Sequence, residues 1–476
     1  MNKKVLIWRI VILGAIVAGL ARGISGHITM SRLAHDLRYG SPEEQISAAK
    51  ELMARDRLFD VMQEMPRVDR IRVLRTVIRR IPGELTVKQC LILLKDPRVT
   101  VRNRVAAALV VLGKDHIGIL VPALRDSDEN VRKGVASALV AIGAPVVPYV
   151  REAVKAPDLR AAACDVLVQI GEPSVPAFVR LLKDKDQDVR MAAAVSLGKI
   201  GSMKATPALL EATRDIESVR RVAISSLCTI CDPRGIDLFV EVLRNPEDDG
   251  EVRARAARAL SVLDGEKGIS ALVDSMDDYD LRVKSSVISG LQRIGAPAVP
   301  KVLGAMARSQ GMRHAGAQVL EKIDAPEATD ALLRLASDSD PVVRLSVARG
   351  LGERHNVSQI EPLIKLLGDA DGRVAEAASE SLGLLGRTAV PRLISVLSSQ
   401  TSDIVKYRAA CALVQIGSDA VPALREALKS STVSAKWAAY ALGQIGDRSV
   451  RPDLERLARS TNPDLKWTAE RALQHM

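Results

Sequence analysis

Apolar residues along most of the chain fall at helical spacing, in pairs of segments separated by short polar turns. Between Gly171 and Gly201, Val175, Phe178 and Leu181 or Leu182 share one helical face, and Val189, Ala193, Leu197 and Ile200 share another. The polar run Asp184-Lys-Asp-Gln-Asp188 separates them. The pattern predicts two amphipathic helices folded into a hairpin, and nothing in it favours strands. The hairpin recurs. Each second helix ends in a small apolar run, a hydrophobic pair and a closing residue, at Gly113, Gly143, Gly171, Gly201, Cys231, Asp264, Gly295, Asp324, His355, Gly386, Gly417 and Gly446, in steps of 28 to 33 residues. Further copies fit at Pro82 and Asp56, and the final Leu473-Gln-His-Met476 stops just short of its own closing position. Self-similarity at this period marks a stacked repeat array, here all-α and built of about 14 helical hairpins.

Punctuation agrees. Proline opens the first helix at Pro122, Pro148, Pro176, Pro207, Pro300, Pro391 and Pro422, where its missing N–H costs nothing. Glycine closes the second helix, where a left-handed residue is wanted. Aspartate, often as Asp-x-Asp, precedes the second helix and can cap its free N–H groups.

Two further positions repeat. A basic residue stands eleven places before the closing position at Arg102, Arg132, Arg160, Arg190, Arg220, Arg253, Lys284, Arg313, Arg344, Lys406 and Lys466, with Ala375 and Ala435 as exceptions. Six residues before it stands Asp96, Asp126, Asp184, Asp278, Asp338 or Asp369. Over residues 85–476 this pattern resembles the HEAT-repeat family, in particular the short HEAT-like repeats of the phycobilisome-lyase type. The resemblance implies a right-handed α-solenoid (superhelix) in which Asp96, Arg102, Asp126, Arg132, Asp184, Arg190, Asp278, Lys284, Asp338 and Arg344 belong to a structural ladder through the stacked turns. A stripe of ligand-binding arginines is the competing reading of the same residues. Ala375 and Ala435 then interrupt the ladder, with Arg373 and Lys436 close enough to substitute.

The amino terminus departs from the repeat. Met1-Asn-Lys-Lys4 precedes an apolar stretch from Val5 to Ala21, broken only by Arg9. Its uninterrupted part, Ile10 to Ala21, has the length of a signal-peptide core and is short for a full span. Residues 1–22 are therefore read as an N-terminal hydrophobic helix, either a signal anchor or a signal peptide. The anchor is favoured because no Ala-x-Ala site or polar segment follows Ala21. Residues 23–84 are expected to be juxtamembrane helices and diverged first repeats, and 85–476 the repeat solenoid. The anchor reading makes a single-pass membrane protein with an extracytoplasmic repeat domain. Lys3 and Lys4 support that orientation, whereas Arg22, Arg32 and Arg38 weaken it.

Composition narrows the possibilities. The 476 residues include only 3 Phe, 3 Trp and 5 Tyr, so the core must be aliphatic and few rings are left to stack on bases or tetrapyrroles. The formal charge of +11 is unevenly distributed. Residues 55–104 hold 13 basic and 6 acidic side chains, and residues 241–280 hold 5 basic and 11 acidic ones. The densest basic piece carries Arg67, Arg70, Arg72, Arg75, Arg79 and Arg80 around an apolar face. It reads as a solvated helix face, or as a contact for a partner or an anionic membrane surface near the putative anchor. Nucleic acid is disfavoured by the scarcity of aromatics and by the acidic middle.

Candidate chemistry is sparse. Cys90, Cys164, Cys228, Cys231 and Cys411 lie in helical patterns and read as buried thiols. The Cys228-Thr-Ile-Cys231 spacing lacks a second pair to complete a metal site. Asp274 to Asp280 lacks a calcium-loop frame, and Asn245 to Glu251 is a loop insertion that lengthens one repeat. None of His27, His35, His116, His314, His355 and His475 is followed by Glu, so the paired His-Glu motifs of di-iron HEAT-repeat hydroxylases are missing. No catalytic residues, metal or cofactor are expected. The chain reads as a membrane-tethered scaffold gripping a protein partner on the concave face of its second helices. The alternative is a lyase-like or cofactor-handling protein.

Overall fold

In a computed structural model of the chain, the described residues are 30–54, 57, 61, 73, 76, 84–263, 265–354, 357–430 and 432–476. The hydrophobic N-terminal segment and the cluster Arg67, Arg70, Arg72, Arg75, Arg79 and Arg80 lie outside them. Among the described residues every regular element is helical, and no single helix is long and apolar enough to cross a membrane. The chain divides into two compact halves, Met1–Ile230 and Cys231–Met476.

Among the described residues the first half shows five successive helical hairpins, from Glu84–Leu93 with Val99–Leu112 to Thr206–Ala212 with Glu217–Ile230. Upstream of them, a helix over 30–39 turns into Pro42–Ala54. Ser41 and Glu44 close that turn reciprocally: the Glu44 carboxylate accepts from the Ser41 N–H at 2.7 Å and the Ser41 hydroxyl accepts from the Glu44 N–H at 3.3 Å. The second half contains eight hairpins, from Ile236–Arg244 with Gly250–Leu263 to Arg451–Leu457 with Pro463–Gln474.

Helix lengths are unequal within a hairpin. Val175–Leu181 spans 7 residues and begins after a single 3-10 turn, whereas Gln187–Ile200 spans 14. The predicted apolar faces bury Val175, Phe178, Val189, Ala193 and Leu197, and Leu181 and Leu182 are both buried, while Ile200 is only half-buried. Full burial of Phe178 alone stabilises the stack by about 2–3 kcal/mol.

Successive second helices pack directly on one another, and small residues set how closely. A Cβ on Gly198 would lie 2.7 Å from the Ser226 hydroxyl, and one on Gly443 would lie 2.5 Å from the Ala472 Cβ. Serines in these contacts satisfy themselves on the neighbouring helix. Ser226 donates to the Ala194 carbonyl and Ser381 to that of Ala348, each at 2.8 Å.

The closing glycines are more demanding than a left-handed cap. Gly201 is left-handed, at φ 73° and ψ 15°, but Gly143, Gly171, Gly295 and Gly417 pair a positive φ with ψ near −135°, a region open essentially to glycine alone. Gly113 is an exception and stays helical at φ −74°. Cys231 occupies a closing position at φ 52°, the one non-glycine with positive φ among the described residues. Where the closing residue is Asp324, the helix ends without a positive φ, at Ile323 with φ −84°.

Candidate functional site

Several of the repeated Asp and Arg positions join one repeat to the next. In each Asp-x-Asp the second carboxylate caps the following helix: Asp128, Asp186, Asp280, Asp340 and Asp371 each accept from the N–H two residues on. The first carboxylate accepts from the second aspartate's own N–H, as at Asp126, Asp184, Asp278, Asp338 and Asp369, at 2.9–3.0 Å. Asp278 and Asp369 are thereby held where Arg253 and Arg344 of the preceding repeat reach them.

Arg190 shows the complete arrangement. Its Nη1 donates to the Asp184 and Lys185 carbonyls of its own turn, while Nε and Nη2 grip both oxygens of Asp215 in the next repeat at 2.7 and 2.9 Å. Arg344 repeats it with the Asp338 and Ser339 carbonyls and with Asp369 at 2.7 and 2.8 Å. Arg253 holds the Leu243 carbonyl and Asp278, with both side chains 4–7% exposed. Fork-on-carboxylate pairing of this kind is directional, and it pulls the Asp215 and Asp369 carboxyls below their ordinary range.

Other positions differ. Arg102 and Arg132 bond the Asp96 and Asp126 carbonyls, while the Asp96 carboxylate pairs instead with Arg98. Arg160 reaches Asp186 rather than Asp184. Lys284 turns back to Asp277 at 2.8 Å, because a compact ammonium lacks the fork that would hold carbonyl and carboxylate together. The two suggested substitutes also act otherwise. Arg373 pairs with Asp371 of its own turn, and the guanidinium that enters the Ala375 repeat is Arg408, from the next second helix, on the Leu367 carbonyl at 2.7 Å. Lys436 lies 3.9 Å from Asp403 and over the ring of Trp437.

With its cations so engaged, this edge of the hairpins is a joint between repeats. On the second helices, exposed apolar side chains recur at positions two, six and nine or ten before the closing residue. Val111, Val195, Val262 and Leu384 stand there exposed. In the last three second helices, Asp403–Ile416, Thr432–Ile445 and Pro463–Gln474, those positions carry rings: Tyr407, Trp437 with Tyr440, and Trp467.

The cause is a division of labour along each helix. Ala435, Ala438, Ala439, Ala441, Ala469 and Ala472 are buried, and Gly443 sits against Ala472, so the backbones approach closely on the inner side. The bulky residues are left outside, where they frame a cavity of about 440 Å³. Tyr407 lies 5.6 Å from Tyr440 and 6.0 Å from Trp437, and Trp437 meets Tyr440 edge-on at 6.2 Å. Trp467 and Arg471 form the far wall, with the guanidinium 5.2 Å over the indole. Burial, with hydrogen bonds to Tyr407 and Cys411, pushes the Tyr440 phenol above its ordinary value.

Donors outnumber acceptors in this cavity. The Trp437 Nε1–H is buried without a partner, and Arg471, Gln444 and His475 line the space. No acidic side chain is among the lining residues. Sequence reasoning missed the site by treating eleven aromatics as scarce, although Tyr407, Trp437 and Trp467 follow one another at thirty-residue steps.

A second hollow, of about 460 Å³, is lined by Val240, Arg244, Glu266, Lys267 and Ser270 and holds no aromatic ring. All five cysteines stand as thiols, and burial pushes Cys90 up to about 12. No group of three or more His, Cys, Asp or Glu among the described residues can hold a metal ion. The insertion at Asn245 is pinned, with Asn245 Nδ2 on Asp248 and the Tyr279 hydroxyl on the Pro246 carbonyl, both at 3.0 Å.

Comparison with known proteins agrees with the repeat. The family model described as HEAT repeats matches residues 87–158, 155–228, 216–292, 236–311, 305–383, 360–435 and 390–474. A curated relative, deoxyhypusine hydroxylase from Gallus gallus, is 30% identical over 215 residues, covering 44% of this chain and 70% of that protein. Similar solved structures include Kap121p, at 15% identity and TM-score 0.48 over 91% of this chain and 57% of that one. Kap95p with RanGDP matches at 13% identity and TM-score 0.46, over 94% and 66%. The chain thus spans little more than half the length of Kap121p.

Proposed function

Because the chain belongs to the HEAT-repeat family, we propose that it is a non-catalytic scaffold that binds a protein partner along the concave, second-helix face of a right-handed solenoid of the short HEAT-like type. The observation that carries this reading is that exposed apolar side chains recur on the second helices of each half, Val111 and Val195 in the first and Val262, Leu384, Tyr407 and Trp467 in the second, while Arg190, Arg253 and Arg344 at the turns are spent on joining repeats. Exposed apolar side chains aligned on one face mark interaction surfaces. The apolar segment from Val5 to Ala21 tethers the scaffold to a membrane, with the repeats on the extracytoplasmic side and the Arg67 to Arg80 cluster near anionic headgroups.

A photo-activatable residue at Val195, Ser289 or Gln415, on second helices, is expected to capture a discrete protein in cells, whereas the same residue at Arg180 or Glu211, on first helices, captures none. Equal capture from both faces would overturn the concave-face reading. Release of the full chain from membranes by high salt would overturn the tether.

A second reading rests on the similarity to deoxyhypusine hydroxylase. It makes the chain a lyase-like or cofactor-handling protein, and purified protein would then carry absorbance beyond its aromatic residues. The sequence offers it little, since none of the six histidines is followed by the glutamate of the paired His-Glu motif.

A further inference from the structure

We infer that the cavity framed by Tyr407, Trp437, Tyr440 and Trp467 is a side-chain pocket for an acidic–aromatic peptide, taking one apolar or aromatic side chain of a partner while flanking carboxylates meet Arg471. This deepens the scaffold reading and rests on it.

The argument has three parts. The first is size and lining. A space of about 440 Å³ bounded by four rings on three successive second helices is far larger than a packing defect, and one inserted ring takes about a third of it, leaving room for the backbone and flanking side chains of a peptide. Tyr407 is 40% and Trp467 59% exposed, so a ligand that covers them removes apolar surface that the fold leaves wet.

The second is charge. Arg471 makes a ring contact with Trp467 and no ion pair among the described residues, and His475 and Gln444 line the same space. With no carboxylate in the lining, a cationic ligand would find the rings but meet Arg471 as a like charge. An anionic one finds both a stacking surface and a guanidinium. This excludes the use to which aromatic cages are often put, the capture of quaternary ammonium groups.

The third is an unspent donor. The Trp437 Nε1–H has lost water without gaining an acceptor, which costs free energy unless a ligand supplies one. Because that nitrogen is closed to solvent, it meets a peptide carbonyl only if the indole turns toward the cavity as the side chain enters. An extended peptide also suits the site's placement, because Leu384, on the second helix that packs against Asp403–Ile416, is exposed as well and lets flanking residues lie beside it.

The full chain can be tested with four short capped peptides by calorimetry: Phe flanked by Asp and Glu, the same peptide with Phe replaced by Ala, Phe flanked by Lys, and free phenylacetate. The acidic Phe peptide is expected to bind at least tenfold more tightly than the other three. Arg471→Glu is expected to weaken it at least tenfold and to raise the affinity of the Lys-flanked peptide, and Trp467→Ala is expected to weaken every Phe peptide. Both residues are exposed enough that helicity and melting temperature should stay unchanged, and each variant is checked for that first.

Equal binding of the acidic and basic peptides would overturn the proposal, as would acidic-peptide binding that survives both substitutions. Phenylacetate binding as tightly as the acidic Phe peptide would overturn it in favour of a small-molecule site. Photo-capture of a protein from Val195 or Ser289 tests the scaffold independently, so peptide failure with retained capture sinks only the pocket assignment.

Discussion

Arg253 and Asp278 are both nearly removed from water, and neither tolerates the loss of the other. Arg253→Met leaves a carboxylate facing the Leu243 carbonyl with no cation between them, and breaking a buried pair in this way costs about 3–5 kcal/mol. Asp278→Asn with Arg253→Met is expected to cost clearly less than the two single changes added together, because no charge is left stranded. Urea melts of the three variants measure both values. A double-variant loss equal to the sum of the two single losses would show that the pair does not join the repeats. The positions of these residues were legible in the sequence because they recur, but their partners were not. Arg190, Arg253 and Arg344 reach an aspartate twenty-five residues ahead, in the next repeat. Lys284 and Arg373 look like members of the same series and bond within their own turns.

At the level of the helix, two glycines in similar helical contexts should respond in opposite directions to the same substitution. Gly443 lies in Thr432–Ile445, where an added Cβ would meet the Ala472 Cβ at 2.5 Å and its Cα at 2.6 Å. Gly304 lies in Val299–Met306, where an added Cβ meets nothing within 4 Å. Alanine gains up to about 1 kcal/mol of helix propensity at either site, but overpacking a helix contact costs about 1–3 kcal/mol. Gly304→Ala is therefore expected to raise the melting temperature and Gly443→Ala to lower it. The second change should also alter the near-ultraviolet circular dichroism of Trp437 as the aromatic cavity is forced wider. Hairpins, prolines and most closing glycines could be read from periodicity alone. The cavity could not, since it depends on how closely Ala- and Gly-rich inner faces bring three outer faces together. A composition averaged over 476 residues hides four rings gathered on three helices.

Over the whole molecule, stability is divided as the contacts are. Each repeat rests on its neighbours, so the chain approximates a sum of repeat and interface terms rather than one cooperative core. Both tryptophans among the described residues, Trp437 and Trp467, lie in the second half, whereas helicity is contributed by both. In a Trp8→Phe background, guanidinium unfolding followed by tryptophan fluorescence and by far-ultraviolet circular dichroism is expected to give midpoints that do not coincide. Superimposable curves would mean that the halves unfold as one.

The twenty-five-residue reach of the arginine fork has a consequence for how such a chain can change. Excising residues 325–355, one whole repeat, sets Asp369 twenty-five places after Arg313, the separation at which Arg190, Arg253 and Arg344 find their partners. A cut that is not a whole number of repeats loses that separation. Where the arginine fork forms the joint, repeat number is therefore a quantity that inheritance can add to or subtract from in whole steps, and the length of the surface offered to a partner can be lengthened or trimmed there without redesigning the joint.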